Sequence, residues 1–204
     1  MFLTLITREL RLLCRKKSEL LQLMVFLALA LLILPFAVEN PQKIATGYVW
    51  IIQLFLVFLS LKMFFDDDWR DGSLEQLFLT LPSPAYIVIA KYIAYCLAIL
   101  MISLPMLPLL ALLFRSDMAT LIKTAISLST GIPCLAMIGG FGAALTLGSK
   151  KAGIIIPVIL IPLYIPVLIF AVSGTFAMQA ALLLLIAPLS IYFSGLALKI
   201  AIKE

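Results

Sequence analysis

The sequence predicts an all-α integral membrane protein: six transmembrane helices, an N-terminal interfacial helix ahead of them and one short cytoplasmic helix among them. Three observations lead there. Of the 204 residues, 64% are hydrophobic and only 12% charged, with a mean hydropathy of +1.21. That leaves too few polar side chains to coat a soluble domain of this length. Six apolar stretches come close to or exceed the roughly 20 residues a helix needs to cross the hydrocarbon core. The basic residues gather on one side of those stretches, as the positive-inside rule requires.

The first element is a basic N-terminal helix over about residues 1–18. Arg8, Arg11 and Arg15 project within about 60° of one another on a 3.6-residue helix, opposite Phe2, Ile6 and Leu13. Such a helix suits the inner membrane surface, with its arginines near lipid phosphates. A full-length span follows the basic cluster, and no small-x-small cleavage site precedes Glu39, so the segment reads as an uncleaved anchor.

The spans fall at about 20–38, 48–65, 85–114, 121–147, 154–172 and 176–198, within one membrane domain over residues 1–204 with no soluble module. The third and fourth are longer than a bilayer requires, and Pro105, Pro108 and Pro133 are candidate kinks. The fifth carries Pro157, Pro162 and Pro166; carbonyls freed by proline need neighbours, which predicts a span packed inside the bundle. Gln22 and Gln53 lie within spans and should face other helices or a cavity. Gly139/Ala143 and Gly140/Ala144 form small-xxx-small pairs, suited to close helix packing within the subunit or across a dimer.

Twelve basic residues fall on one side: Arg8, Arg11, Arg15, Lys16, Lys17, Lys62, Arg70, Lys91, Lys150, Lys151, Lys199 and Lys203, against Lys43, Arg115 and Lys123 on the other. Both termini are therefore expected in the cytoplasm, with Lys62 and Lys91 snorkelling to the inner surface. Charge placed this way flanks spans and does not form a nucleic-acid patch. The chain has no histidine, so it lacks the commonest metal ligand, haem axial ligand and general base. Cys14, Cys96 and Cys134 share no short spacing and read as small apolar side chains rather than a disulfide or metal set.

The informative segment is the acidic loop 66–84. Five of the ten acidic residues lie in the fifteen-residue run KMFFDDDWRDGSLEQ. Asp71-Gly72 supplies a turn, and Ser73 followed by Gln76 fits a capping box. A helix is expected over Leu74–Leu81, stopped by Pro82 and Pro84. Leu74, Leu77, Phe78 and Leu81 form one apolar stripe, with Glu75, Gln76 and Thr80 opposite. A helix of two turns is marginal alone, so the stripe needs cover: the bilayer surface, the protein's own spans, or a groove on a second protein.

Two enzyme patterns touch the same loop. Asp67, Asp68 and Asp71 read D-D-x-x-D, the way membrane prenyltransferases hold Mg²⁺ and diphosphate, but a second acidic cluster is missing and Asp117 falls on the opposite side. Asp71-Gly72 also opens like an alcohol phosphatidyltransferase motif without its continuation. No phosphate-binding loop occurs, since five residues separate Gly142 from Gly148 and Ser-Lys-Lys follows. Any ATP use must reside on another chain.

The run F-x-D-D-x-x-x-D-G-S-L-E-Q-L, here Phe65, Asp67, Asp68, Asp71, Gly72, Ser73, Leu74, Glu75, Gln76 and Leu77, resembles the signature of the haem exporter B family, the permease of the cytochrome c maturation system. Leu81-Pro82-Ser83-Pro84, Lys91, the opening Arg8–Leu12 and the glycine-rich fourth span running into T-L-G-S-K-K match as well. The resemblance covers essentially the whole chain. It implies an ABC-2-type exporter subunit of the cytoplasmic membrane that dimerises and pairs with two copies of a separate cytoplasmic ATPase. Loop 66–84, with Phe78 and Leu81 on its helix, would be the coupling helix. Haem would be the transported substrate, with no covalently bound cofactor, and other haem-handling membrane proteins would be partners. Its propionates would meet cations such as Lys62, Arg70 or Arg115. A passive assembly scaffold is the remaining alternative.

Overall fold

In the computed structural model, which describes residues 2–81, 83–149 and 152–203, every regular element is helical. Ten α-helices are present among these residues: α1 (Phe2–Arg15), α2 (Lys17–Ala37), α3 (Pro41–Ser60), α4 (Lys62–Arg70), α5 (Ser73–Thr80), α6 (Pro84–Ser103), α7 (Leu107–Phe114), α8 (Met118–Leu145), α9 (Ala152–Val172) and α10 (Phe176–Lys203). Five stretches are long and apolar enough to cross a bilayer: Lys17–Ala37, Pro41–Arg70, Pro84–Phe114, Met118–Leu145 and Phe176–Ile202; Val158–Val172 adds a shorter apolar helix. The chain is a multi-pass membrane protein.

Several boundaries differ from the sequence expectation for local reasons. The second span starts about two turns early because Pro41 sits in the first turn of α3, where its missing N–H costs nothing. After a break at Leu61 the helix resumes as α4, so Asp66, Asp67 and Asp68 are helical rather than loop. The long third span is bent as expected: a 3₁₀ turn at Leu104–Met106 contains Pro105 and separates α6 from α7. Pro133, by contrast, sits inside an unbroken α8.

The core is built on α8. Its closest partner is α10, and its glycines let large side chains approach. A Cβ on Gly140 would lie 2.1 Å from Tyr92 Cε1, and one on Gly142 would lie 2.7 Å from Leu160 Cδ1. The small-xxx-small run thus serves packing within this chain. Buried hydroxyls find partners, as a lipid-embedded core demands. Tyr92 Oη bonds Ser190 Oγ at 2.8 Å and Ser194 Oγ at 2.7 Å, while Tyr164 Oη donates to the Leu135 carbonyl at 3.2 Å.

Two expectations about buried spans fail. α9 lies at the periphery: Leu160, Tyr164, Val167 and Ala171 form its inward stripe, and Pro162 and Pro166 are exposed. Pro162 and Pro166 line an open apolar cleft with Phe141 of α8 and Leu185 of α10, and α9 stays one continuous helix; the side chain of Pro157 lies outside the described residues. Gln22 is exposed on α2, whereas Gln53 is buried and accepts a hydrogen bond from Ser103 Oγ at 3.2 Å.

Candidate functional site

The acidic segment becomes a hinge of two helices at one end of the bundle. α4 is rooted in the core by Phe64, which stacks on Tyr95 with ring centroids 3.9 Å apart and meets Tyr92 edge-on. It ends at Asp71, whose N–H reaches the Asp67 carbonyl at 3.0 Å. Gly72 then takes a left-handed conformation, φ 73°, which a residue with a Cβ adopts only at a cost. α5 starts at the next residue.

The capping box does not form. Gly72 occupies the cap position, and Ser73 is the first helical residue. The Ser73 hydroxyl donates to Asp68 Oδ1 at 2.9 Å, and its N–H is taken by Asp71 Oδ1 at 3.0 Å. A hydrogen bond to a carboxylate is the stronger option for that hydroxyl, so the acid of α4 wins it from the α5 backbone.

The apolar stripe of α5 is covered by the protein itself. Leu74 is fully buried, and Leu77, Phe78 and Leu81 pack against the core. Glu75, Gln76 and Thr80 are exposed, and in their midst Leu79 is 88% exposed. The surface offered outward is thus polar with one bare leucine, and it is not the predicted stripe.

Behind the hinge lies an ion cluster that sequence reasoning missed. Lys91 of α6 is 5% exposed. Its Nζ donates to Glu9 Oε2 of α1 at 3.0 Å and also pairs with Asp68 of α4. Arg8 Nη1 closes on Glu9 Oε1 at 2.6 Å, and the Phe65 ring lies 5.8 Å from the Lys91 ammonium. Two cations meet two carboxylates, so the buried charge is balanced. Lys91 does not snorkel, and Glu9 shares the buried face of α1 with Leu5 and Leu13. The signal available was Glu9 midway between two leucines at four-residue spacing, together with a lysine inside an apolar span. Asp67 pairs separately with Lys16, at the junction of α1 and α2.

The aspartates are therefore committed within the chain, and no three acidic or cysteine side chains among the described residues are grouped to hold a metal ion. Chemically, the arrangement suits transmission of movement: α5 is fixed to α4 through Ser73, α4 to α6 through Asp68, and α6 to α1 through Glu9. The cations suggested for propionates do not meet. Lys62 and Arg70 are exposed on α4. Arg115 lines a cleft with Glu39 and Pro41 at the far end of α2, about 30 Å away by helix rise.

Residues 1–202 match the family described as CcmB protein. A protein named heme exporter protein B from Pseudomonas aeruginosa is 38% identical, with 89% of this chain and 82% of that one covered. Another of the same name from Haemophilus influenzae is 37% identical over 84% of this chain and 80% of its own. The one from Escherichia coli K12 is 35% identical with all of each chain covered. The chain belongs to the CcmB protein family.

Proposed function

We propose that this chain is the membrane permease subunit of an ABC transporter that exports haem, or drives its delivery, across the cytoplasmic membrane for c-type cytochrome biogenesis. Residues 1–204 form a single permease domain of six spans, of ABC-2 type, with both termini in the cytoplasm. Two such subunits pair with two copies of a separate cytoplasmic ATPase, alongside other haem-handling membrane proteins of the pathway. The names of the relatives supply the substrate.

The observation that carries the reading is α5: a helix fixed to the bundle by Leu74, with Leu79 bare on a polar face. A connector between two spans needs only a few residues, whereas an anchored helix with an exposed apolar knob suits a groove on a partner. ATP-driven closure of the ATPase dimer would push on α5, and the α4–α6–α1 links would carry the displacement into the spans as rigid elements. Asp67, Asp68, Asp71, Gly72 and Ser73 shape that lever; Glu75, Gln76 and Leu79 meet the partner.

The test is to purify the tagged chain in mild detergent, wild type beside Leu79→Asp, and to assay what ATPase accompanies each. Leu79→Asp is expected to insert normally, lose the ATPase and abolish cytochrome c maturation. If it retains both, the coupling role of α5 is wrong. A hydrolysis-dead ATPase separates the permease from a passive scaffold, which would tolerate it.

A further inference from the structure

The end of the bundle bearing the α9–α10 turn holds a cleft of about 300 Å³, far from the α4–α5 hinge. Its polar walls are Thr46 of α3, Lys123 and Ser127 of α8, and Ser173 beyond α9. Lys123 is exposed and makes no ion pair among the described residues. An acidic neighbour, Asp117, is engaged by the Thr120 hydroxyl, which holds its carboxyl below the usual range, with the Lys123 charge a weaker contributor. The floor is Ser127, whose hydroxyl also donates to Gln179 Oε1 at 3.3 Å.

One side chain deeper, two buried donors have no acceptor: Trp50 Nε1 and Gln179 Nε2. Both residues are fully buried, and they converge on Gly131. A Cβ there would lie 2.2 Å from Trp50 Cη2 and 2.7 Å from Gln179 Nε2. Buried N–H groups without partners are costly, most of all in a membrane. A cation without a salt bridge above hydroxyls, with unmatched donors beneath, is the complement of an anionic oxygen.

We propose that this cleft receives a carboxylate of the transported amphiphile. Lys123 supplies the counter-charge and Thr46 a hydroxyl donor; water drawn in behind the oxygen, past Ser127, satisfies Trp50 and Gln179. The cleft holds the carboxylate arm and not the whole ligand. The assignment rests on the haem reading above, because haem carries two such arms.

The experiment measures binding of protoporphyrin IX and of its dimethyl ester to the purified full chain by porphyrin fluorescence anisotropy. The diacid is expected to bind about tenfold more tightly than the diester, the scale of one charge-assisted hydrogen bond. Lys123→Ala, on the exposed rim, and Trp50→Phe should each remove most of that preference. Equal affinity for acid and ester, no binding of the diacid, or an unchanged Lys123→Ala would overturn the site. Displacement of the diacid by phosphatidylglycerol would assign the cleft to a lipid headgroup and overturn it too. The permease reading is judged separately, since Leu79→Asp acts at the opposite end and leaves this cleft intact.

Discussion

Lys91 is the residue on which most of the hinge depends. It balances a buried and a half-buried carboxylate from helices far apart in sequence, Glu9 of α1 and Asp68 of α4. Removing one partner of a buried ion cluster leaves uncompensated charge, which costs about 3–5 kcal/mol. Lys91→Met is therefore expected to lower the unfolding temperature of the detergent-solubilised protein sharply, and adding Asp68→Asn should recover part of the loss. Unfolding of Lys91→Met at the wild-type temperature would mean the cluster is energetically idle. Glycines give a second comparison at this scale. The Tyr92 ring is held by Ser190 and Ser194 and cannot retreat from a new methyl group, so Gly140→Ala should cost about 1–3 kcal/mol. Gly47→Ala, with nothing within 4 Å of the added Cβ, should be neutral or slightly stabilising. Thermal unfolding of the pair decides it. Lys91 also marks where sequence reading ran out. Hydrophobic period identifies the face a residue occupies but not its partner, and Glu9 is 82 positions away. A lysine near a span end reads as a flank because nothing local distinguishes a snorkelling ammonium from a paired one.

Among the elements, α5 was the most legible in its extent and the least in its orientation. Turn chemistry at Asp71-Gly72 and the i, i+3, i+4, i+7 leucines located it to within a residue, Ser73–Thr80 against an expected 74–81. The cap was misassigned because Asp68 claims the Ser73 hydroxyl, a tertiary bond that no local pattern contains. The stripe was correctly identified, but it is spent on the protein's own core, leaving Leu79 as the outward apolar contact. A matched pair of substitutions separates the two faces. Leu74→Ala empties a fully buried site and should cost about 2–5 kcal/mol. Leu79→Ala, at the surface, should stay within about 0.5 kcal/mol while still weakening retention of the ATPase. If the stability losses are reversed, the helix is turned the other way. α9 taught the opposite lesson: proline density predicted burial, yet Pro162 and Pro166 are exposed on an open cleft beside α10. A proline needs its carbonyls satisfied somewhere, but the rest of an apolar helix face can be left to lipid or a second subunit.

At the scale of the whole molecule the course of α9 sets the parity of spans and the side of the C-terminus. Packing against α8 favours a crossing. Leu160 lies beside Gly142, Tyr164 bonds the Leu135 carbonyl, and Ala171 accepts from Ser127. Rising numbers on α9 thus meet falling numbers on α8, so the two run antiparallel along most of their length. If α9 failed to cross, α10 would start on the inner side and carry Lys199 and Lys203 outward, against the positive-inside tendency. Single cysteines in a Cys14→Ser background decide it, using a membrane-impermeant maleimide on intact cells. Asn40→Cys, Ser116→Cys and Ser173→Cys mark the α2–α3, α7–α8 and α9–α10 turns, and Gln76→Cys marks α5, all at exposed or half-exposed positions. Six crossings require the first three to label from outside and Gln76→Cys only after permeabilisation. If Ser173→Cys instead labels with Gln76→Cys, α9 does not cross, and Ser173 cannot share a cleft with Lys123.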